Sequence, residues 1–114
     1  MTERRLFSRS CVVPLLALAL ASGCGTLKRL AYEVPGRDAS QQPDRVVAAL
    51  ELPPGALVAD LGAGGGYFTF RLANAVGPDG RVYAVDIDPD MLGYLRDRVR
   101  AEKRENIEVI EAAS

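Results

Sequence analysis

The chain has 114 residues, which is enough for one small domain. Its 14 basic and 15 acidic residues leave a net charge of −1, so no basic footprint for nucleic acid is present, and a 48% hydrophobic content argues against disorder. The sequence has no histidine, and its two cysteines, Cys11 and Cys24, both lie in the first 24 residues. A histidine base is therefore excluded, and so are catalytic thiols and cysteine-based zinc sites after Cys24. We predict no metal site.

The first 23 residues have the composition of an export signal. Three arginines within the first nine residues precede an apolar run at residues 11–21, and small residues then lead to Cys24. A basic start, a short apolar stretch and a small-residue end are typical of a secretory signal peptide. The apolar run has about 11 residues, whereas a bilayer span needs about 20, so we do not expect a transmembrane helix.

Residues 20–24 (LASGC) resemble a bacterial lipoprotein cleavage box, in which the cysteine becomes the lipid-bearing first residue. Ala21 departs from the leucine that is usual three positions before the cysteine. The resemblance implies a lipoprotein-type signal peptide at residues 1–23, with the lipid on Cys24. Because Gly25 stands where an inner-membrane retention signal would place aspartate, we expect the periplasmic side of the outer membrane. Secretion as a soluble periplasmic protein and an unprocessed apolar helix are the alternatives.

The segment at residues 24–42 is predicted to be a tether, because it is polar, contains turn-forming residues and shows no hydrophobic period. Pro43 suits the first position of a helix whose apolar residues share one face, and residues 53–55 (PPG) end that helix. The folded domain is therefore expected at residues 43–114.

Three short apolar segments are predicted strands, at residues 56–61, 81–86 and 107–110. The first is almost continuously apolar, which is typical of a strand buried on both faces. Amphipathic helices are predicted between them, at residues 67–76 and from 89 to about 103. Strands that alternate with helices of this length favour an α/β fold with right-handed crossovers and a parallel sheet in the order 3-2-1.

The glycine-rich segment at residues 60–66 (DLGAGGG) joins the first strand to the next helix. Glycines at this position let the backbone turn sharply and let a ligand approach it closely. Asp86 ends the second strand about 20 residues later, where a carboxylate can accept hydrogen bonds from both hydroxyls of a ribose. The dinucleotide fingerprint needs glycine at the sixth position from Gly62, which is Tyr67 here. An oxidoreductase with an atypical dinucleotide loop is therefore an alternative only.

This segment resembles the first motif of the class I S-adenosylmethionine-dependent methyltransferases, acid-x-Gly-x-Gly-x-Gly, which Asp60 and the glycines at 62, 64 and 66 match one for one. Residues 82–86 match the second motif of that family. The resemblance implies a methyltransferase with a Rossmann-like three-layer sandwich and S-adenosylmethionine as its cofactor. Asp60 would lie near the cationic ligand, and Ile87 would pack on its adenine. The implied cofactor-binding residues are Asp60, Gly62, Ala63, Gly64, Gly66, Asp86 and Ile87.

Several residues near the motifs also have simpler interpretations. Asp60 could cap the helix or bind loop amides, and Asp86 could be a turn-initiating acid. Asp88 is predicted to be a helix N-cap rather than a ligand contact. The aromatic residues 67–68 are expected to pack rather than to bind a substrate, and the arginine-rich run at 96–104 is expected to be a solvated helix face.

The resemblance covers only the first three strands of the methyltransferase domain, so we expect an incomplete domain, a fragment or truncated product. The catalytic residues and the methyl acceptor cannot be named from this half. Leu57, Val58 and Leu61 are expected along an exposed edge of the first strand, where they would favour self-association. S-adenosylmethionine is made in the cytoplasm, whereas the N-terminus indicates export. A non-catalytic lipoprotein that uses the fold for binding or structure is therefore a further alternative.

Overall fold

The structure is a computed structural model that describes residues 27–28, 30 and 35–113. The predicted signal peptide and Cys24 lie outside the described residues. Within them, no helix has the length and apolar character of a membrane span. In chain order the elements are α1 (Arg37–Gln41), α2 (Pro43–Ala49), β1 (Leu57–Leu61), α3 (Thr69–Val76), β2 (Arg81–Asp86), α4 (Pro89–Ala101) and β3 (Ile107–Glu111).

The three strands form one parallel sheet with β2 in the centre. Val58 lies opposite Val82, which in turn lies opposite Ile107. Parallel neighbours need a crossover between them, and α3 and α4 provide the two crossovers. The predicted α/β fold and its 3-2-1 strand order are confirmed.

The core lies between one face of the sheet and the helices. Val82, Ala84 and Ile107 form the sheet side of this core, and Val58 and Val109 pack against them. The helices supply buried apolar residues to the same core, because each turns one apolar stripe to the sheet. Those buried residues are Val47 from α2, Phe70, Leu72, Ala73 and Val76 from α3, and Leu95 from α4.

The opposite face of the sheet carries no helix layer in the described part of the chain, and it combines apolar side chains with the Arg81–Glu108 ion pair. Leu57 and Leu61 are 71% and 77% exposed. Because side chains alternate along a strand, the register places Leu61 on the same face as Val85 and Ile110. The interpretation of β1 as buried on both faces is therefore wrong. The expected exposure is confirmed for both leucines but not for Val58, which faces the core.

Several element boundaries differ from the predictions. Helix α1 lies inside the segment predicted to be a tether, and α3 begins at Thr69, two residues later than expected. Helix α4 ends at Ala101, about two residues earlier than expected. The Asn106 side-chain amide donates to the carbonyl oxygens of Ala73 and Gly77, both at 2.9 Å. These carbonyls lie at the end of α3, where the Gly77 amide also donates to the Ala73 carbonyl oxygen at 3.1 Å, so Asn106 adds to the capping of this helix.

Candidate functional site

The glycine loop after β1 has a backbone that requires glycine at alternate positions. Gly62, Gly64 and Gly66 have φ values of 76°, 52° and 90°, a region in which residues with a side chain are strained. The amides of Gly62 and Ala63 both donate to the carbonyl oxygen of Val85, at 2.8 and 3.0 Å. The loop is therefore fixed to the end of β2.

The residues of the loop face in different directions. A Cβ atom on Gly66 would lie 2.6 Å from Leu95 Cδ1 and 2.8 Å from Phe70 Cε2, so Gly66 is needed for packing against the helices. Ala63 is buried and belongs to the core. A Cβ atom on Gly62, in contrast, would meet nothing within 4 Å. Of these three residues, only Gly62 has open space beside it for a ligand.

Asp86 is held at the end of β2 by three backbone amides. Its Oδ1 accepts from Ile87 at 2.7 Å and from Asp88 at 2.9 Å, and its Oδ2 accepts from Gly64 at 2.7 Å. The bond to the amide two residues on is an Asx turn, so the turn-initiating role proposed as an alternative is present. A carboxylate has about four lone-pair positions, and three are in use. One position on Oδ2 is left for a ligand hydroxyl.

Asp60 connects the end of β1 to the start of α3. Its Oδ2 accepts a hydrogen bond from Thr69 Oγ1 at 2.6 Å, and Thr69 is fully buried. This partner is a side-chain hydroxyl, whereas the alternative interpretation of Asp60 had named loop amides or a helix cap. Thr69 was missed by the sequence analysis, and its only signal was a hydroxyl residue at the start of the helix.

Asp88 and Ile87 follow directly at the same edge of the sheet. Asp88 Oδ1 accepts from the amides of Asp90 and Met91 at 3.0 and 3.5 Å, which confirms the predicted N-cap of α4. Lys28 Nζ donates to Asp88 Oδ2 at 3.2 Å, and this hydrogen bond holds the pKa of Asp88 below its ordinary value of 3.8. Ile87 is 62% exposed, which suits an apolar contact with a ligand. Lys28 lies in the predicted tether, and no sequence signal placed it here.

The arginine-rich run is only partly a solvated face. Arg100 is exposed, as predicted, and it pairs with Asp97. Arg98, however, places its guanidinium 4.3 Å from the centre of the Phe70 ring and donates to the carbonyl oxygen of Gly65 at 3.1 Å. Arg104 donates to the carbonyl oxygen of Phe70 at 3.1 Å. Arg98 therefore contacts the glycine loop, and Arg104 contacts α3. The prediction of a solvated helix face is wrong for these two arginines.

Comparison with known proteins identifies the class to which this fold and loop belong. The family model described as a methyltransferase domain matches residues 58–114, half of the chain. The chain therefore belongs to the methyltransferase domain family. A solved SAM-dependent methyltransferase from Aquifex aeolicus is 28% identical, with a TM-score of 0.70, over 78% of this chain and 47% of that one. A solved coclaurine N-methyltransferase bound to S-adenosylhomocysteine is 27% identical, with a TM-score of 0.58, over 64% of this chain and 21% of that one.

Curated relatives are also similar to part of this chain. An arsenite methyltransferase of Halobacterium salinarum is 44% identical over 57 residues, which are 50% of this chain and 15% of that protein. A probable ribosomal RNA small subunit methyltransferase A of Methanosarcina mazei is 46% identical over 67 residues, or 59% and 23%. The chain thus spans less than a quarter of either relative. The predicted fold family, and S-adenosylmethionine as the cofactor of that family, are confirmed. The oxidoreductase alternative is not favoured.

Proposed function

We propose that the carboxyl edge of the sheet binds S-adenosylmethionine and that this chain is the cofactor-binding half of a methyltransferase. The observation that carries the proposal is the position of Asp86, whose carboxylate is bonded to the glycine loop that follows the neighbouring strand. The residues fit the cofactor, because an oriented carboxylate, a glycine-bounded backbone and an exposed apolar residue lie together at one edge. When bound, the cofactor would supply an electrophilic methyl group on a cationic sulfur.

Each residue has a separate part in this proposal. The free lone pair on Asp86 Oδ2 would accept a hydrogen bond from a ribose hydroxyl, and Ile87 would cover one face of the adenine. Gly62 and Gly64 would let the methionine part of the ligand approach the backbone. Asp60 would add a negative charge near the cationic sulfur. Ala63 and Gly66 would contribute through the shape of the loop, since their own space is filled by the core.

The proposal covers the methyl donor but not the methyl acceptor. The relatives named above carry names with different acceptors, arsenite and ribosomal RNA. The described residues that surround the carboxyl edge contain no motif that distinguishes these acceptors. The methyl acceptor and the catalytic residues are therefore left open. A methyl-transfer assay, rather than a binding measurement, distinguishes a methyltransferase from the non-catalytic alternative.

The binding proposal can be tested by isothermal titration of the full chain with S-adenosylhomocysteine, with NAD as the comparison ligand. We expect saturable binding of S-adenosylhomocysteine and none of NAD. Gly64→Val should abolish the binding, because a β-branched residue is strained at a φ of 52° and crowds the loop. Gly55→Val is the matched control, since Gly55 also has a positive φ but lies at the other end of β1. Binding of NAD alone, or equal losses in the two variants, would contradict the proposal.

We also propose that the mature protein begins at Cys24 and carries lipid there, on the periplasmic side of the outer membrane. The support is the basic start, the short apolar run and the small residues before the cysteine. Mass spectrometry of membrane-extracted protein should show a lipid-modified N-terminal Cys24, and Cys24→Ser should leave the precursor unprocessed. An intact Met1, or a soluble chain cleaved elsewhere, would favour the alternatives of no processing or ordinary secretion.

A further inference from the structure

Thr69, the first residue of α3, has a fully buried side chain. Among the polar and charged residues that the structure describes, it is the only buried one. A buried hydroxyl lowers stability unless it forms a hydrogen bond, and a valine would fill the same space without that requirement. The packing of α3 on the sheet therefore accounts for the shape of this residue but not for its hydroxyl group.

The Thr69 hydroxyl is not used to cap its own helix. A threonine near the start of a helix commonly accepts a hydrogen bond from a backbone amide of the first turn. In α3 the N-cap position is occupied by Phe68, and no side-chain cap bond is formed. Thr69 Oγ1 donates instead to Oδ2 of Asp60 at 2.6 Å. Because Asp60 belongs to β1, this bond joins the two elements that the glycine loop connects.

Asp60 is a partly buried carboxylate that has no cationic partner among the described residues. None of the lysines and arginines in that part of the chain forms an ion pair with it, whereas Asp88 at the same edge is paired with Lys28. The Thr69 hydroxyl is the only described group that bonds its side chain, and it occupies Oδ2 alone. Oδ1 therefore keeps its lone pairs, and a cation beside it would stabilise the charge.

We propose that Thr69 is a positioning residue, whose hydrogen bond orients the Asp60 carboxylate so that the site distinguishes S-adenosylmethionine from S-adenosylhomocysteine. This inference rests on the proposed function. The hydrogen bond to Oδ2 restricts rotation about the Cβ–Cγ bond of Asp60 and so fixes the direction of Oδ1. The sulfur of the methyl donor is cationic, whereas the sulfur of the product is neutral. A carboxylate that is oriented in advance therefore favours the donor relative to the product.

The experiment is isothermal titration of the full chain with S-adenosylmethionine and S-adenosylhomocysteine, and the quantity compared is the ratio of the two dissociation constants. Thr69→Val keeps the shape and removes the hydroxyl, so it should reduce the relative affinity for S-adenosylmethionine by about threefold or more. Thr69→Ser keeps the hydroxyl and should restore the wild-type ratio. Asp60→Asn removes the charge and sets the largest change expected. Val76→Ala, a truncation of a buried residue in the same helix, is the matched control; it should lower stability and leave the ratio within about 1.5-fold.

The ratio separates positioning from a purely structural role, because a loss of stability alone weakens the binding of both ligands equally. In the Asp60→Asn background, Thr69→Val should change the ratio no further, since no charge is left to orient. If Thr69→Val does not fold, NMR of the wild-type chain replaces it: the signals of the Thr69 hydroxyl proton and the Asp60 carboxyl carbon should move together with S-adenosylmethionine and move less with S-adenosylhomocysteine.

The possible outcomes distinguish this proposal from the cofactor proposal. An unchanged ratio in Thr69→Val, an equal change in Val76→Ala, or NMR signals that do not respond to S-adenosylmethionine would overturn the positioning role while both ligands still bind. A wild-type chain that binds neither ligand would refute the cofactor proposal, and the positioning role with it.

Discussion

Replacing Asp86 with asparagine tests the carboxyl edge of the sheet with little change in shape. The side-chain oxygen of the new asparagine can keep the two amide bonds from Ile87 and Asp88 that now reach Oδ1. Its NH2 group would then face the amide of Gly64, which now donates to Oδ2 at 2.7 Å. Two donors would oppose each other at the point where the loop meets the end of β2.

The cost to stability follows from that one bond. The Gly64 amide is partly buried and donates to a charged acceptor, a type of hydrogen bond worth about 1.5–3 kcal/mol. We therefore expect Asp86→Asn to lower the free energy of unfolding by about 2 kcal/mol. Urea unfolding followed by circular dichroism measures this loss, and it shows whether the variant is folded during ligand titration.

The cost to ligand affinity follows from the remaining lone pair. The sequence suggested two ribose hydroxyl bonds to Asp86, but three of its acceptor positions are occupied by amides. One charge-assisted bond corresponds to a loss of about 10- to 100-fold in the affinity for S-adenosylhomocysteine. Asp88→Asn is the matched control, because asparagine is also a good N-cap, and it should leave the affinity within about twofold. Equal losses in the two variants, or unchanged binding by Asp86→Asn, would refute the ribose role.

Three other predictions concern stability, association and pH. Gly66→Ala should cost about 2–4 kcal/mol by urea unfolding, since strain adds to a clash with the helices, whereas Gly62→Ala should cost about 1 kcal/mol from strain alone; equal costs would contradict the packing role. Leu61→Glu should reduce self-association in size-exclusion chromatography without destabilising the chain, because Leu61 is 77% exposed, and a wild-type monomer at all concentrations would refute this. The lowered pKa of Asp88 means that its stabilising contribution is complete above its ordinary value of 3.8 and is lost as the pH falls through the folded value. Lys28→Ala should reduce that loss, which thermal unfolding between about pH 5 and pH 2 measures, and an unchanged acid profile would show that Lys28 is not the cause.

The strand order and the position of the candidate site followed from local sequence. Alternation of apolar strands and amphipathic helices fixes a parallel sheet, and the carboxyl ends of its strands then share one edge. The glycines at 62, 64 and 66 were correctly placed at this edge. Their positive φ values are a local property of the turn, and glycine adopts such values without strain. The N-cap at Asp88 was predicted for the same reason, since a cap depends on the next three residues only.

The directions in which long side chains point could not be predicted in this way. Arg98 and Arg100 are two positions apart on one helix, yet one contacts Gly65, 33 residues earlier, and the other is exposed. Similarly, Lys28 reaches Asp88 across 60 residues. Such contacts depend on the spatial distance between elements that are far apart in the sequence. The periodicity of residues within one element gives no information about that distance.

The sequence alone determined the class of fold, the glycine loop and the acid at the end of β2, because each of these is set by spacing or by backbone conformation within a short segment. Tertiary structure decided which glycine faces the helices, how many acceptor positions Asp86 keeps for a ligand and which face of β1 stays exposed. The physical reason is that these properties belong to pairs of elements. They exist only after the helices pack on one face of the sheet and the loop amides reach the carboxylate of the neighbouring strand.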